Sequence, residues 1–275
     1  MKILIMQFSG TGNTYQISKM IQNSLINKNH QVDLYPIEKI SNVNSLIKNY
    51  DMIAIGYPIY GSDLPKIVKD MVEELNPESS KRAFVFCTQL MFSGDGAAYL
   101  AKKLIAKGFI VRQLAHFNMP NNISDSLGLF TNRTNLKRLN KRKLRQVERF
   151  VKKIDKDKKS LKGLNIFSHL LGLIQRVPFQ KYEYSIFNHS ISIENSCILC
   201  KKCIDLCPVD NFTIKDNKLV ENNRCILCYR CINHCPTKSL HISKNKLVKK
   251  PYKGPTNNFS IDDVMQIRLY KDIKH

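Results

Sequence analysis

The sequence predicts an α/β chain in which a doubly wound, five-stranded parallel sheet is followed by a small α+β domain organised around cysteines. Three observations carry that expectation. Short apolar runs alternate with helical patterns through the first 160 residues. A Gly/Ser/Thr-rich turn follows the first run directly. Eight of the nine cysteines crowd between Cys197 and Cys235. Strands alternating with helices imply a parallel sheet, and ligands of such sheets lie beyond the carboxyl ends of the strands.

Lys2–Gln7 is an apolar run suited to a buried strand, and similar runs recur at Val32–Pro36, Met52–Tyr57, Arg82–Thr88 and Phe109–Phe117. Helical patterns lie at Tyr15–Asn27, Pro65–Leu75, Gly94–Lys107 and Thr134–Lys159. Between the first strand and the first helix stands Phe8-Ser9-Gly10-Thr11-Gly12-Asn13-Thr14. Such a loop offers backbone N–H groups, hydroxyl donors and a helix N-terminus, which together suit a phosphate. The Walker pattern is excluded because the loop has no lysine. The dinucleotide fingerprint is incomplete, since Tyr15 stands where its third glycine belongs. What remains, Ser9, Thr11, Gly12, Asn13 and Thr14, resembles the flavin mononucleotide (FMN) phosphate loop of the flavodoxins. That resemblance covers about 155 residues and implies a flavodoxin-like fold with bound FMN. It also implies that the loops after the third and fourth strands hold the isoalloxazine. Here these contribute Pro58, Ile59, Tyr60 and Gly61, and Thr88, Gln89, Leu90 and Gly94, with Tyr57 or Tyr60 as a ring-stacking or a packing residue. The chain departs from the family in being strongly basic and in having no tryptophan.

The cysteines read Cys197-x2-Cys200-x2-Cys203-x3-Cys207-Pro208, and then Cys225-x2-Cys228-x2-Cys231-x3-Cys235-Pro236. Each cysteine of the second set lies 28 positions after its counterpart, and the flanking residues repeat as well, so the segment is an internal duplication. Three thiolates at x2 intervals wrap one cluster, while the fourth, before proline, completes the opposite cluster. One [4Fe–4S] cluster is therefore expected on Cys197, Cys200, Cys203 and Cys235, and a second on Cys225, Cys228, Cys231 and Cys207. With every position filled, a three-iron cluster is disfavoured. Zinc is the alternative, but its structural sites pair two Cys-x2-Cys units across a longer gap, which this run does not match. The segment 193–240 closely resembles the bacterial-type two-cluster ferredoxins. Phe212–Ile214 and Lys218–Val220 flank Lys215-Asp216-Asn217 as a short hairpin between the halves.

The net charge of +22 is uneven: residues 131–181 carry 16 basic and 3 acidic side chains. Arg133–Lys159 reads as a basic helix with an apolar stripe of Leu136, Leu139, Val147, Phe150, Val151 and Ile154. Its outer face is expected to be solvated, with docking of an acidic redox partner as the second reading. The charge comes with no nucleic-acid motif. Leu164–Val177 is a second amphipathic helix, stopped by Pro178 and expected to pack between the domains, with a membrane surface as the lesser alternative. The tail, 243–275, reads as a basic extension with a helix at Ile261–Leu269, wrapping one of the domains. Cys87 reads as a buried small hydrophobe, and His234 as a neighbour of the second cluster.

The expected division is residues 1–160 for the flavin domain, 161–192 for an amphipathic linker, 193–242 for the cluster domain and 243–275 for the extension. The whole resembles flavodoxin–ferredoxin fusion proteins of anaerobic bacteria. That resemblance implies a cytoplasmic electron-transfer protein in which two [4Fe–4S] clusters and FMN exchange electrons with a redox partner protein. A flavin-dependent reductase of a small substrate is the alternative. The sequence has no apolar run long enough to span a membrane.

Overall fold

The computed structural model describes residues 1–91, 94–124, 136–185, 190–243, 245 and 247–273. The strands β1 (Lys2–Gln7), β2 (Gln31–Pro36), β3 (Met52–Pro58), β4 (Arg82–Gln89), β5 (Ile110–Asn118) and β6 (Ser160–Leu161) form one sheet, ordered β2-β1-β3-β4-β5-β6. All its pairs are parallel. The first five strands have the flavodoxin-like order, whose switch point lies between β1 and β3. The sheet has one strand more than the five expected. Only Gln113↔Ser160 and Leu114↔Leu161 pair β6 with β5, too short a run to leave a period-2 pattern. Gln113 fixes it from within the sheet, its Nε2 donating to the Lys158 carbonyl at 3.3 Å.

Side-chain alternation along the strands builds two cores. Leu4, Met6, Ile53, Ile55 and Val85 face one side, under the helices α2 (Val43–Ile47), α3 (Lys66–Glu74) and α4 (Ala97–Ala106). Ile3, Ile5, Phe84 and Phe86 face the other, under α1 (Asn13–Ile26) and α5 (Leu136–Asp155). Helix α5 buries Val147, Phe150, Val151 and Ile154 and turns most of its lysines and arginines to solvent; Arg133 to Asn135, the start of the expected helix, lie outside the described residues. Cys87 is fully buried in the first core.

Helix α6 (Ile166–Ser185) corrects the expectation of a stop at Val177: it runs through Pro178. Proline removes one N–H from the helical ladder, at a cost of about 3 kcal/mol. Contacts beyond it hold the helix together, since Gln180 Nε2 donates to Asp63 Oδ2 at 2.7 Å and Phe179 lies against Gly61. At the other end Asn165 Oδ1 caps the helix by accepting from the Ser168 N–H at 2.7 Å.

The cluster domain is built from β7 (Ile191–Ile193), α7 (Lys202–Asp205), β8 (Phe212–Lys215), β9 (Lys218–Glu221), α8 (Arg230–His234) and β10 (Leu240–Ile242). β7 pairs antiparallel with β10, and β8 with β9. The expected hairpin turns at Asp216 and Asn217, both left-handed, as its two-residue loop requires. The tail crosses the first domain, where Arg268 bridges to Leu34 on the edge strand β2 and Val264 enters the core. Instead of the expected helix at Ile261–Leu269 it forms 3₁₀ turns at Asp262–Met265 and, beyond that span, at Tyr270–Asp272.

Candidate functional site

A cleft of about 240 Å³ opens at the carboxyl ends of the strands. Ser9, Thr11, Asn13, Thr14, Pro58, Ile59, Tyr60, Gly61, Thr88, Gln89 and Leu90 all line it. Two expected residues do not. Gly12 is the N-cap of α1, at φ +94°, and faces Phe259 and Pro255 of the tail. Gly94 packs under Gly172 of α6, and its neighbours Phe92 and Ser93 lie outside the described residues. Sequence reasoning did not find the remaining walls: Met119 to Ile123 after β5, Phe179 and Tyr182 from α6, and Leu227, Tyr229 and Ile242 from the cluster domain.

The loop Ser9–Thr14 is held residue by residue. Arg230 donates from Nη2 to the Ser9 carbonyl (2.9 Å) and from Nε to the Gly10 carbonyl (3.3 Å). Asn122 Nδ2 donates to Thr11 Oγ1 (3.0 Å). Asn13 Nδ2 donates to the Pro120 carbonyl (2.9 Å), and its Oδ1 accepts from the Tyr252 hydroxyl (2.6 Å). The Thr14 and Thr88 hydroxyls share a hydrogen bond at 2.8 Å. Asn233 of α8 closes the ring: its Nδ2 donates to the Asn122 carbonyl and its Oδ1 accepts from the Tyr252 N–H.

These contacts leave the chemistry an FMN phosphate needs. The hydroxyls of Ser9 and Thr11 accept from the Gly12 N–H and from Asn122, so each retains its own hydrogen to donate. Helix α1 begins with no side-chain cap and no acidic residue in its first turn, so its N-terminal N–H groups and dipole favour an anion there. Tyr57 is settled as a packing residue: it is fully buried, and its hydroxyl donates to the Gly96 carbonyl at 3.2 Å. Tyr60 lines the cleft, and its buried hydroxyl has no hydrogen-bond partner among the described residues. Burial drives the acidity of that hydroxyl well below that of a free phenol, and the nearby Cys228 thiol adds to the effect. The residues present fit the group.

The cysteines sort into two cavities. Cys197, Cys200, Cys203 and Cys235 line one, and Cys207, Cys225, Cys228 and Cys231 the other. Among the described residues no three His, Cys, Asp or Glu side chains converge as a group that could hold a metal ion. A multi-iron cluster asks for something else, four thiolates around a shared volume with each taking its own iron. The duplication extends to the backbone. Leu199 and Lys201 are left-handed, as are Leu227 and Tyr229, 28 positions on. A non-glycine residue there is strained, and in both halves the strain falls between the same cysteines. The fourth cysteines match too: Cys207 Sγ accepts from the Asn211 N–H (3.2 Å) and Cys235 Sγ from the Ser239 N–H (3.3 Å). Burial pushes the thiols of Cys203 and Cys228 up to about 11, so loading either cavity must expel protons. His234, pulled down to about 4 by burial, is a neutral neighbour beside Phe259.

The two sites touch. A Cβ on Gly10 would run into the Cys228 carbonyl, so the phosphate loop and the second cluster loop are in backbone contact. Gly10→Ala is expected to force them apart, an overpacking cost of about 1–3 kcal/mol. Its FMN dissociation constant should rise at least about tenfold with iron content unchanged, measured by flavin titration of the apoflavin protein.

A parallel α/β sheet with a hydroxyl-lined anion loop, backed by a duplicated cysteine fold, defines a flavin-type nucleotide domain fused to an iron–sulfur domain. Residues 4–162 match the family model described as flavodoxin domain, and residues 196–239 match that of the 4Fe–4S dicluster domain. The chain belongs to the flavodoxin-domain family and, with its second domain, is a flavodoxin–ferredoxin fusion. Similar solved structures include a flavodoxin from the domain Archaea (19% identity, 57% of this chain and 98% of that one, TM-score 0.43). Oxidised flavodoxin 2 from Bacillus cereus is similar as well (19%, 57% and 99%, TM-score 0.44). So is the rubredoxin oxygen:oxidoreductase from the anaerobe Desulfovibrio gigas (16%, 57% and 35%, TM-score 0.44). No curated protein matches the chain.

Proposed function

We propose that this chain is an electron-transfer protein that holds FMN in the cleft and two [4Fe–4S] clusters in the cysteine cavities, and that it exchanges electrons with a partner protein. The contact between Gly10 and Cys228 carries this reading, because it sets the phosphate loop directly against one cluster loop. Bound there, FMN supplies one- or two-electron chemistry and the clusters supply one-electron steps. The residues arrange an order. Cys228 and Cys231 are buried beside the cleft, whereas Cys200 is exposed at the far cavity. The partner therefore meets the Cys197–Cys203 loop first. The division at residues 160, 192 and 242 belongs to the same reading, with α6 and the tail fastening the parts together.

Anaerobic purification followed by iron, sulfide and flavin analysis tests the composition: about eight irons and one FMN per chain are expected. A preparation with its iron but without flavin at any occupancy would sink the FMN half. Lys201, Lys202 and Lys238 are exposed around the far cavity, with Ile198 among them, which favours an acidic partner. Reversing Lys201 and Lys202 to glutamate should slow reduction by an acidic one-electron carrier about tenfold at low salt and much less at high salt, read by stopped flow.

A further inference from the structure

Helix α6 is inside out. The polar side chains of His169, Gln175 and Arg176 point into the protein. Arg176 donates to Asp95 Oδ1 at 2.7 Å and to the Ser62 carbonyl at 2.9 Å, and its guanidinium lies 3.7 Å over the Tyr99 ring. His169 also reaches Asp95, and Gln175 accepts from the Ser62 hydroxyl at 2.7 Å. Gly172 packs so tightly that a Cβ there would meet the Asp95 carboxylate. These contacts fix the rotation of the helix about its axis. The opposite side carries Ile166, Phe167, Leu170, Leu173, Ile174 and Val177, and each of them is 40–88% exposed. At 3.6 residues per turn those six fall within an arc of about 120°. A contiguous apolar stripe that the described residues leave open marks a contact surface.

Charge says what covers it. Lys158, Lys159 and Lys162 are exposed just before the helix and Lys181 is exposed near its end, while Glu183, half-buried, is the one acidic residue within the helix. A second copy would bring these lysines against their own kind, at a net charge of +22 each. Anionic lipid headgroups would neutralise them instead. Helix α6 does not cross a bilayer: among the described residues no helix is long and apolar enough to do so. It has the make-up of a helix that lies in the plane of the interface, apolar face down, with lysines at headgroup level.

We propose that the outer stripe of α6 docks this protein on an anionic membrane surface, with the side chains of Ile166, Phe167, Leu170, Leu173, Ile174 and Val177 entering the acyl boundary. The chain has no tryptophan, so Phe167→Trp introduces a single fluorescent reporter on the stripe. The holoprotein carrying it is mixed with phosphatidylcholine vesicles, with and without phosphatidylglycerol. Its emission should shift to the blue on the anionic vesicles only, and sedimentation should show at least about tenfold tighter binding to them. Leu170→Ser with Ile174→Ser should lose about tenfold or more of that binding while iron and flavin content stay unchanged, since neither residue is on the inner face. Adding salt should weaken the binding without abolishing it. Unchanged binding by the double variant would reduce the effect to nonspecific charge and overturn the proposal. Failure to bind would overturn it too, as would a blue shift that follows protein concentration without lipid and accompanies dimerisation.

Discussion

Arg230→Met should destabilise the protein by about 3–5 kcal/mol, because it strips the partner from a buried carboxylate. The Arg230 side chain is 1% exposed and that of Glu38 is 7% exposed, with 2.7 Å between Nη2 and Oε1. The same guanidinium satisfies the carbonyls of Ser9, Gly10 and Leu206. Truncation leaves three acceptors and one charge in low dielectric, and the other Glu38 oxygen already has no hydrogen-bond partner among the described residues. Lysine cannot restore the set, since its single ammonium lacks the planar fork that reaches both domains. Urea unfolding of the holoprotein measures the loss. Adding Glu38→Gln to Arg230→Met should recover part of it, because the stranded charge is gone. A loss below about 1 kcal/mol would mean that the clamp is incidental.

Cys228→Ala is expected to have the larger effect on function. It removes a thiolate from the cavity that touches the phosphate loop, and the iron count should fall from about eight to about four. The protein should keep its flavin, reducible by a small chemical reductant, but cluster-mediated flavin reduction should slow by at least about a hundredfold. Cys200→Ala, at the exposed cavity, should also lose about four irons while leaving the inner cluster's spectrum intact. Electron paramagnetic resonance of the two variants assigns the signals. If both lose the same signal, the ligand sets are not the two described.

The parts of the molecule with a strict spacing were legible in the sequence. The x2 and x3 intervals sort the eight cysteines into the same two sets that the two cavities collect. The loop Ser9–Thr14 and the apolar runs mark the cleft and the strands, because burial on both faces of a parallel sheet leaves continuous hydrophobic stretches. Helix α6 was not legible in this way. Its apolar spacing signals a helix, but periodicity alone assumes that the apolar side is the inner one, and here Arg176, His169 and Gln175 face in. Arg230 could be read only as one more charge beside a cysteine. Its role arises from 192 residues of separation to Glu38, which no local pattern encodes. Tyr252 and Phe259 sit in a tail without periodicity, and only the fold brings them to Asn13 and Gly12.

The residue-by-residue hold on Ser9–Thr14 has a thermodynamic consequence. A flexible loop that closed on a phosphate would surrender about 1–2 kcal/mol of backbone freedom per residue at the moment of binding. Here Arg230, Asn122, Tyr252, Thr88 and the Phe259 ring have already taken that freedom during folding. The protein's own contacts therefore order the loop, and a phosphate bound there costs little further backbone entropy.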